Sequence, residues 1–422
     1  MVLIYGKGKV GNSLKEFCEY NDIDSEIKDD SDYITDFSKY NKIIASPGIP
    51  PTNSIYKTGK VIGDLDFCFD YLPKGFKIIS ISGTDGKSTT AWIMYNILKQ
   101  EFGDERTFLS GNFDEPFSKT VLDIQKRGIR SGWIVVEISS FMAYNIEKYT
   151  STYSIFTNFE KDHQNWHPDM KDYLDSKLNI FRNTTKRSIV NSQVLNKAKE
   201  LGLDIDLPNM RLFGAGNDLK DRVELPFVVI SGRKKYDIRE TNFSGPYNAL
   251  NILAASIVGN ETKICSKRIK GYLRNIFGLP HRIELYKEIN GISFIDDSKS
   301  TSSQSLKAAL ETFEDNRIVL IAGGSDKGDT FDQLGDLFKK KVKHAEFIGQ
   351  TREMIGKVFL ENNISFHLSD SMAEAVKTAY DNAKPGDIIL LSPGCASFGL
   401  FKDYLDRANK FKESVDAIAE ID

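Results

Sequence analysis

The stretch Lys77-Ile-Ile-Ser-Ile-Ser-Gly-Thr-Asp-Gly-Lys-Ser-Thr-Thr90 decides how the rest of the chain is read. Its apolar half has the length of a buried strand and runs into a loop holding Gly83 and Gly86. Lys87-Ser88-Thr89 then opens a helical period carrying Trp92, Ile93, Ile97 and Leu98. Glycines at those points let backbone N–H groups close round phosphate oxygens, and a helix N-terminus adds the positive end of its dipole. Lys87 is then placed to reach β- and γ-phosphates, and a hydroxyl of Ser88 or Thr89 to ligate Mg²⁺. An ordinary phosphate loop has a further glycine where this chain has Ile81. The shorter form G-T-D-G-K-S-T argues against small GTPases and most motor-type ATPases.

The same alternation of apolar run, small-residue turn and helical period recurs outward in both directions. Runs at Val2–Tyr5, Lys42–Ala45, Trp133–Val136, Tyr153–Phe156, Ile292–Ile295, Arg317–Ala322 and Asp387–Leu391 predict an α/β protein with parallel sheets covered on both faces. With 422 residues the chain is too long for one ordinary core. Pro/Gly turns at Tyr71–Phe76 and Phe277–His281 place the seams, giving three domains at 1–74, 75–279 and 280–422. Composition is ordinary for a globular chain, at 40% hydrophobic and 27% charged. A net charge of −3 offers no basic surplus for binding a nucleic-acid backbone. No run approaches the roughly 20 apolar residues of a membrane span, and MVLIYGKGKV reads as a strand entering a turn, not a leader. Four scattered cysteines without a C-x-x-C pair argue against a disulfide scaffold and fit a reducing cytoplasm.

Downstream of the loop, Trp133-Ile-Val-Val-Glu137 is a strand ending in a carboxylate, and ligand groups in α/β sheets gather at the carboxyl ends of strands. Glu137 is therefore a candidate metal ligand facing the phosphate loop. His163 follows the next strand in Phe156-Thr-Asn-Phe-Glu-Lys-Asp-His163, with His167 a weaker candidate beyond it. Lys177 lies in the helical stretch Asp172–Phe181. Asn248 and Asn251 stand about one helical turn apart in Tyr247–Ala255. At the other end, Gly6-Lys-Gly-Lys-Val-Gly11 follows a strand and precedes acidic Asp29 and Asp30. That pattern alone admits a dinucleotide site and an NAD-dependent dehydrogenase. Some 74 residues, however, hold only half of a dinucleotide fold, enough for one nucleotide.

The G-T-D-G-K-S-T loop, E-x-S-S-F at Glu137–Phe141, D-H at Asp162–His163 and Y-N-A-L-N at Tyr247–Asn251 together resemble the Mur ligases. So do P-H-R-x-E at Pro280–Glu284, D-S-K-S-T at Asp297–Thr301, G-G-S-D-K-G at Gly323–Gly328 and S-P-G-C-A-S-F at Ser392–Phe398. The resemblance implies a Rossmann-like N-terminal domain binding a uridine diphosphate substrate, a central P-loop ATPase-like domain and a Rossmann-like C-terminal domain for the incoming amino acid. It implies ATP and two Mg²⁺ as cofactors and an acyl-phosphate intermediate. The residues it marks for ATP are Gly83, Thr84, Asp85, Gly86, Lys87, Ser88, Thr89, Asn251, Arg282 and Asp297. Catalytic and metal roles fall to Lys87, Ser88, Glu137, His163 and Lys177, the last through N-carbamylation, which needs a neutral amine.

For the acceptor, UDP-N-acetylmuramoyl-L-alanine, the resemblance marks Gly8, Val10, Asp29, Ser46, Pro47, Gly48 and Asn112. D-S-K-[AS]-T is similar to the form in the D-glutamate-adding member, so D-glutamate is the expected amino acid, held by Lys299, Thr301, Lys327, Ser397 and Phe398. A monomer in the cytoplasm is expected. A sibling adding another amino acid, and a non-catalytic nucleotide-sensing module, are the alternatives. Departures from the family pattern include Asp85 for Asn, Lys7 for Leu, Val10 for Thr, Tyr247 for His, Gly394 for Ala and Gly399 for Asp.

Overall fold

Residues 1–420 apart from Tyr33, Thr35, Asp114, Asn165, Pro208, Ser244, Lys327, Asp329 and Phe398 are described by a computed structural model. The chain divides into two compact units, Met1–Phe277 and Gly278–Asp422.

The first unit carries two parallel sheets. A four-stranded one orders its strands Ser25–Lys28, Val2–Tyr5, Lys42–Ala45, Val61–Gly63. A six-stranded one runs Met210–Phe213, Thr184–Asn191, Ser151–Phe156, Gly75–Ser82, Ser131–Glu137, Thr107–Gly111. Every pairing in both is parallel. Side-chain alternation explains the double-faced burial. Ile78, Ile134, Val136 and Phe156 enter one core, while Ile79, Ile81, Trp133, Val135 and Ile155 enter the other. Helix Lys87–Phe102 buries Ala91, Ile93, Met94, Ile97 and Leu98, and ends at Gly103, whose φ of +90° suits glycine.

Strand order matters for function. The chain leaves Gly75–Ser82 toward one side of the sheet, and later crosses to Ser151–Phe156 on its other side. The carboxyl end of that central strand is thus a topological switch point, where α/β sheets leave a crevice.

The second unit holds a six-stranded sheet ordered Glu284–Ile289, Ile292–Asp296, Ile388–Leu391, Ile318–Ala322, Val342–Phe347, Ser365–Leu368. Its first strand is antiparallel and the others are parallel. The last strand in the chain, Ile388–Leu391, inserts between Ile292–Asp296 and Ile318–Ala322, making a second switch point.

The fold departs from the sequence reading in strand direction at two places. The three-stranded sheet of Arg222–Glu224, Phe227–Ile230 and Arg233–Asp237 is antiparallel, and so is the hairpin Glu284–Ile289 with Ile292–Asp296. Both contain an apolar run, Phe227–Ile230 and Ile292–Ile295, paired with the more polar strands Arg222–Glu224, Arg233–Asp237 and Glu284–Ile289 across short turns, which give antiparallel hairpins where an apolar run alone reads as a parallel strand. No helix among the described residues is long and apolar enough to cross a membrane.

Candidate active site

Three neighbouring strand ends build the site of the first unit. From Gly75–Ser82 emerges the loop Gly83–Gly86. Gly83 has φ +151°, and a Cβ there would meet Thr157 Oγ1 at 1.9 Å; at Gly86, with φ +74°, it would meet Asn251 Oδ1 at 2.5 Å. Only glycine lets the loop lie this close to both neighbours.

Thr157 and Asn158, just beyond Ser151–Phe156, brace the loop from outside. Thr157 Oγ1 donates to the Asp85 carbonyl at 2.6 Å, and Asn158 Nδ2 to the same oxygen at 3.1 Å. Asn158 Oδ1 accepts from the N–H groups of Thr84 and Asp85 at 3.2 and 2.8 Å. Asn251 closes the far side, accepting from Thr90 Oγ1 at 3.1 Å. Lys87 Nζ donates to the Thr84 carbonyl at 2.5 Å, folding its ammonium back over the loop.

Glu137 ends Ser131–Glu137 and is 1% exposed. Its Oε1 accepts from Asn112 Nδ2 at 2.9 Å, whereas Oε2 is buried without a hydrogen-bond partner. A buried carboxylate oxygen left unpaired is costly unless something cationic meets it. Lys177, on helix Met170–Arg182, is also 1% exposed; its Nζ donates to the Gly83 carbonyl at 2.7 Å and lies 4.7 Å over the Tyr173 ring. Burial pushes the Lys177 ammonium well below its ordinary pKa, and the neighbouring Lys87 charge pushes the same way.

His163 sits at φ +54° with its ring 4.7 Å from that of Phe141. Burial lowers its proton affinity against the pull of Asp162. His167 is committed elsewhere: it is 1% exposed, with Nδ1 2.6 Å from Asp172 Oδ2 and Nε2 2.9 Å from Ser140 Oγ. That pairing makes it a structural histidine. Among the described residues, three His or acidic side chains converge within 4.8 Å at His281, Glu284 and Asp296. Lys412 Nζ already stands 3.1 Å from Glu284 and 3.4 Å from Asp296 there, so an ammonium fills that cluster.

On the four-stranded sheet, strand ends bring Gly8, Val10, Asp29 and Ser46–Gly48 to one edge. The glycine turn is packed against it: a Cβ on Gly6 would meet Ser46 Oγ at 2.6 Å, and one on Gly11 the Gly6 carbonyl at 1.8 Å. Asp29 accepts from Ser31, and Lys7 pairs with Asp32 at 2.6 Å. Asn112, assigned to the acceptor with these residues, follows the strand Thr107–Gly111 of the six-stranded sheet, where its Nδ2 donates to Glu137 Oε1.

In the second unit the loops carrying Asp297, Lys299, Thr301 and Ser397 meet at the switch point. Asp297 N–H donates to the Leu391 carbonyl at 2.8 Å, Gly323 N–H to Pro393 at 2.9 Å and Ser325 N–H to Ala396 at 2.9 Å. Asp297 accepts from Ser392 Oγ at 2.7 Å, and its burial raises the carboxyl pKa to about 7. Arg407, fully buried, donates to the Cys395 carbonyl at 3.0 Å and the Ser298 carbonyl at 2.7 Å, tying two loops together. Lys327 and Phe398 lie outside the described residues.

Sequence reasoning missed the bracing side chains Thr157, Asn158 and Arg407 and the Asn112–Glu137 bond. Thr157 and Asn158 sit inside a quoted motif, but their partners are main-chain groups some 70 residues away, which local pattern does not reveal.

Two family models match the chain: Mur ligase middle domain over residues 81–259, and Mur ligase, glutamate ligase domain over residues 281–395. A UDP-N-acetylmuramoylalanine–D-glutamate ligase of Aquifex aeolicus (strain VF5) is 34% identical over 98% of each chain. Among solved structures, the UDP-N-acetylmuramate-alanine ligase of Thermotoga maritima is similar at TM-score 0.62 and 15% identity over 99% of both chains. The MurF ligase of Thermotoga maritima in complex with ADP is similar at TM-score 0.55 and 14% identity, covering 99% of this chain and 95% of that one.

Proposed function

This chain belongs to the Mur ligase family, and from that premise we propose that it joins D-glutamate to UDP-N-acetylmuramoyl-L-alanine at the expense of ATP, in peptidoglycan biosynthesis. The observation that carries the reading is the strand-end convergence of a braced phosphate loop, the half-partnered carboxylate of Glu137 and the buried amine of Lys177. A dehydrogenase would leave that convergence unused.

Residues 1–74 hold the uridine diphosphate end of the acceptor, 75–279 the nucleotide, and 280–422 the amino acid. The N–H groups of Gly83–Thr89 and the Lys87 ammonium bind and orient the phosphates, since phosphoryl transfer is mainly positioning and charge stabilisation. Asn251 contacts the base. ATP phosphorylates the terminal carboxylate of the acceptor; the D-glutamate amine then attacks the acyl carbon, and phosphate leaves.

The donors Ser88, Glu137 and His163 suit Mg²⁺, and the unpaired Glu137 Oε2 is the atom that a hard dication would satisfy. Mg²⁺ supplies charge neutralisation on the phosphate oxygens when bound. Lys177, with its lowered proton affinity, is the amine most able to react with CO₂, and a carbamate there would join the donors. Lys299, Thr301, Lys327, Ser397 and Phe398 receive the D-glutamate side chain. The enzyme works as a single chain in the cytoplasm.

The test is phosphate release from ATP and Mg²⁺ with UDP-N-acetylmuramoyl-L-alanine, adding one amino acid at a time. Release with D-glutamate, and not with L-glutamate, L-lysine, diaminopimelate or L-alanine, is expected. Release with a different amino acid overturns the specificity, and release with none overturns the acceptor.

A further inference from the structure

Arg407 is the largest side chain that the described fold buries completely, and among the described residues it makes no ion pair. Burial pulls its pKa down to about 10, so the guanidinium is still charged at neutral pH. The two carboxyls that interact with its charge are bonded elsewhere: Asp296 to His281 at 2.7 Å and Lys412 at 3.4 Å, Asp297 to Ser392 at 2.7 Å. Its own bonds go to main-chain oxygens, Nη1 to Cys395 and Nη2 to Ser298, and Nε is buried without a partner. A buried charge without an anion is destabilising, and a well-packed apolar side chain would avoid that penalty. Stability alone does not account for an arginine here.

The two oxygens it holds belong to the two loops of the amino-acid site. Ser298 precedes Lys299, and Cys395 stands two residues before Ser397. The loops also touch directly, Gly394 N–H donating to the Ser300 carbonyl at 3.0 Å. The next carbonyl after Cys395, that of Ala396, accepts from Ser325 N–H at 2.9 Å. Consecutive carbonyls are thus pinned to different elements, one to the helix Tyr404–Ala419 and one to the loop after Ile318–Ala322. Three residues before Arg407 on that helix, the Tyr404 ring lies 5.2 Å from Lys299 Nζ.

We propose that Arg407 is a positioning residue for the ligation: its fork sets the spacing of the Lys299–Thr301 turn and the Ser397 loop, and so the fit of the D-glutamate side-chain carboxylate. This rests on the reading that Lys299, Thr301 and Ser397 receive that side chain. A planar guanidinium holds two carbonyls from two nitrogens in fixed geometry, which an ammonium on a flexible stem does not. Loops held in this way are ordered before the amino acid arrives, which lowers the entropy lost on binding.

The test is steady-state phosphate release by the full chain, with each of the three substrates varied in turn. Arg407→Lys keeps the charge and loses the fork. Its KM for D-glutamate should rise about 10–100-fold, with those for ATP and UDP-N-acetylmuramoyl-L-alanine within about twofold of the unaltered chain. A merely structural residue would lower the folded fraction, and so kcat, with every KM unchanged. Arg407→Gln, neutral and shorter, should shift the same KM, and since KM reads only folded molecules, a partly unfolded variant still reports. Ser397→Ala should raise the KM for D-glutamate as well, and its effect should fall short of additive with Arg407→Lys, because both act through one loop. Equal rises in all three KM values, or a raised KM in Ser397→Ala beside an unchanged one in Arg407→Lys, would overturn the positioning role alone. An unchanged KM in Ser397→Ala would overturn the reading of the site, and the positioning role with it.

Discussion

At the scale of single residues, Glu137 was legible and Asn112 was not, and the difference is physical. A carboxylate closing an apolar strand stands out because ionised groups are rarely buried. Its partner comes from a neighbouring strand end, 25 residues earlier, and is found only once the sheet register is known. Asn112→Ala removes the donor to Glu137 Oε1, leaving both oxygens of a buried carboxylate unpaired. We expect turnover to fall about 10–100-fold and the Mg²⁺ concentration for half-activation to rise, with the circular dichroism spectrum unchanged. Steady-state phosphate release across a Mg²⁺ series checks both.

Asp297 gives the pH prediction. Its folded pKa, about 7, lies above the roughly 3.9 of an unfolded aspartate. Between those values the folded unit keeps a proton that the unfolded chain has lost. The resulting stability is therefore present below about pH 4 and is lost as pH rises toward 7. Asp297→Asn cannot ionise, so its melting temperature should change little over pH 5–8, where the unaltered chain loses about 2–4 kcal/mol. Parallel slopes for the two proteins would show that the carboxyl is already charged at pH 5.

At the scale of elements, all eight apolar runs fall on strands, from Val2–Tyr5 to Ile388–Leu391, because strands buried on both faces need unbroken apolar sequence. Strands such as Arg233–Asp237 and Ser365–Leu368 escaped notice: at antiparallel or outer positions, half their residues face water. The phosphate loop was legible as glycines, but what makes those glycines obligatory is the closeness of Thr157 to Gly83 and of Asn251 to Gly86. Gly83→Ala drives a Cβ to 1.9 Å from Thr157 Oγ1 at φ +151°, so the loop must leave its brace. A loss of about 1–3 kcal/mol in stability and a collapse of ATP-analogue binding are expected. Gly128→Ala is the control, since its φ is also positive but nothing lies within 4 Å of the added carbon. Calorimetric titration of the two variants separates backbone strain, common to both, from loss of the brace, confined to Gly83.

At the scale of the molecule, the cores are separate: Ile79, Ile81 and Val135 belong to clusters drawn wholly from Met1–Phe277, Leu320 and Leu390 to one drawn wholly from Gly278–Asp422. A chain with independent cores has no reason to unfold in one step. Scanning calorimetry should resolve two transitions, and the variants above assign them. Gly83→Ala lies in the first unit and should lower only one transition. Asp297→Asn lies in the second and should alter the pH dependence of the other alone, since mutations in separate cores act additively. If each variant instead moved a single shared transition, the two units would unfold as one cooperative body, and the cost of a defect at the phosphate loop would be borne by the amino-acid loops as well.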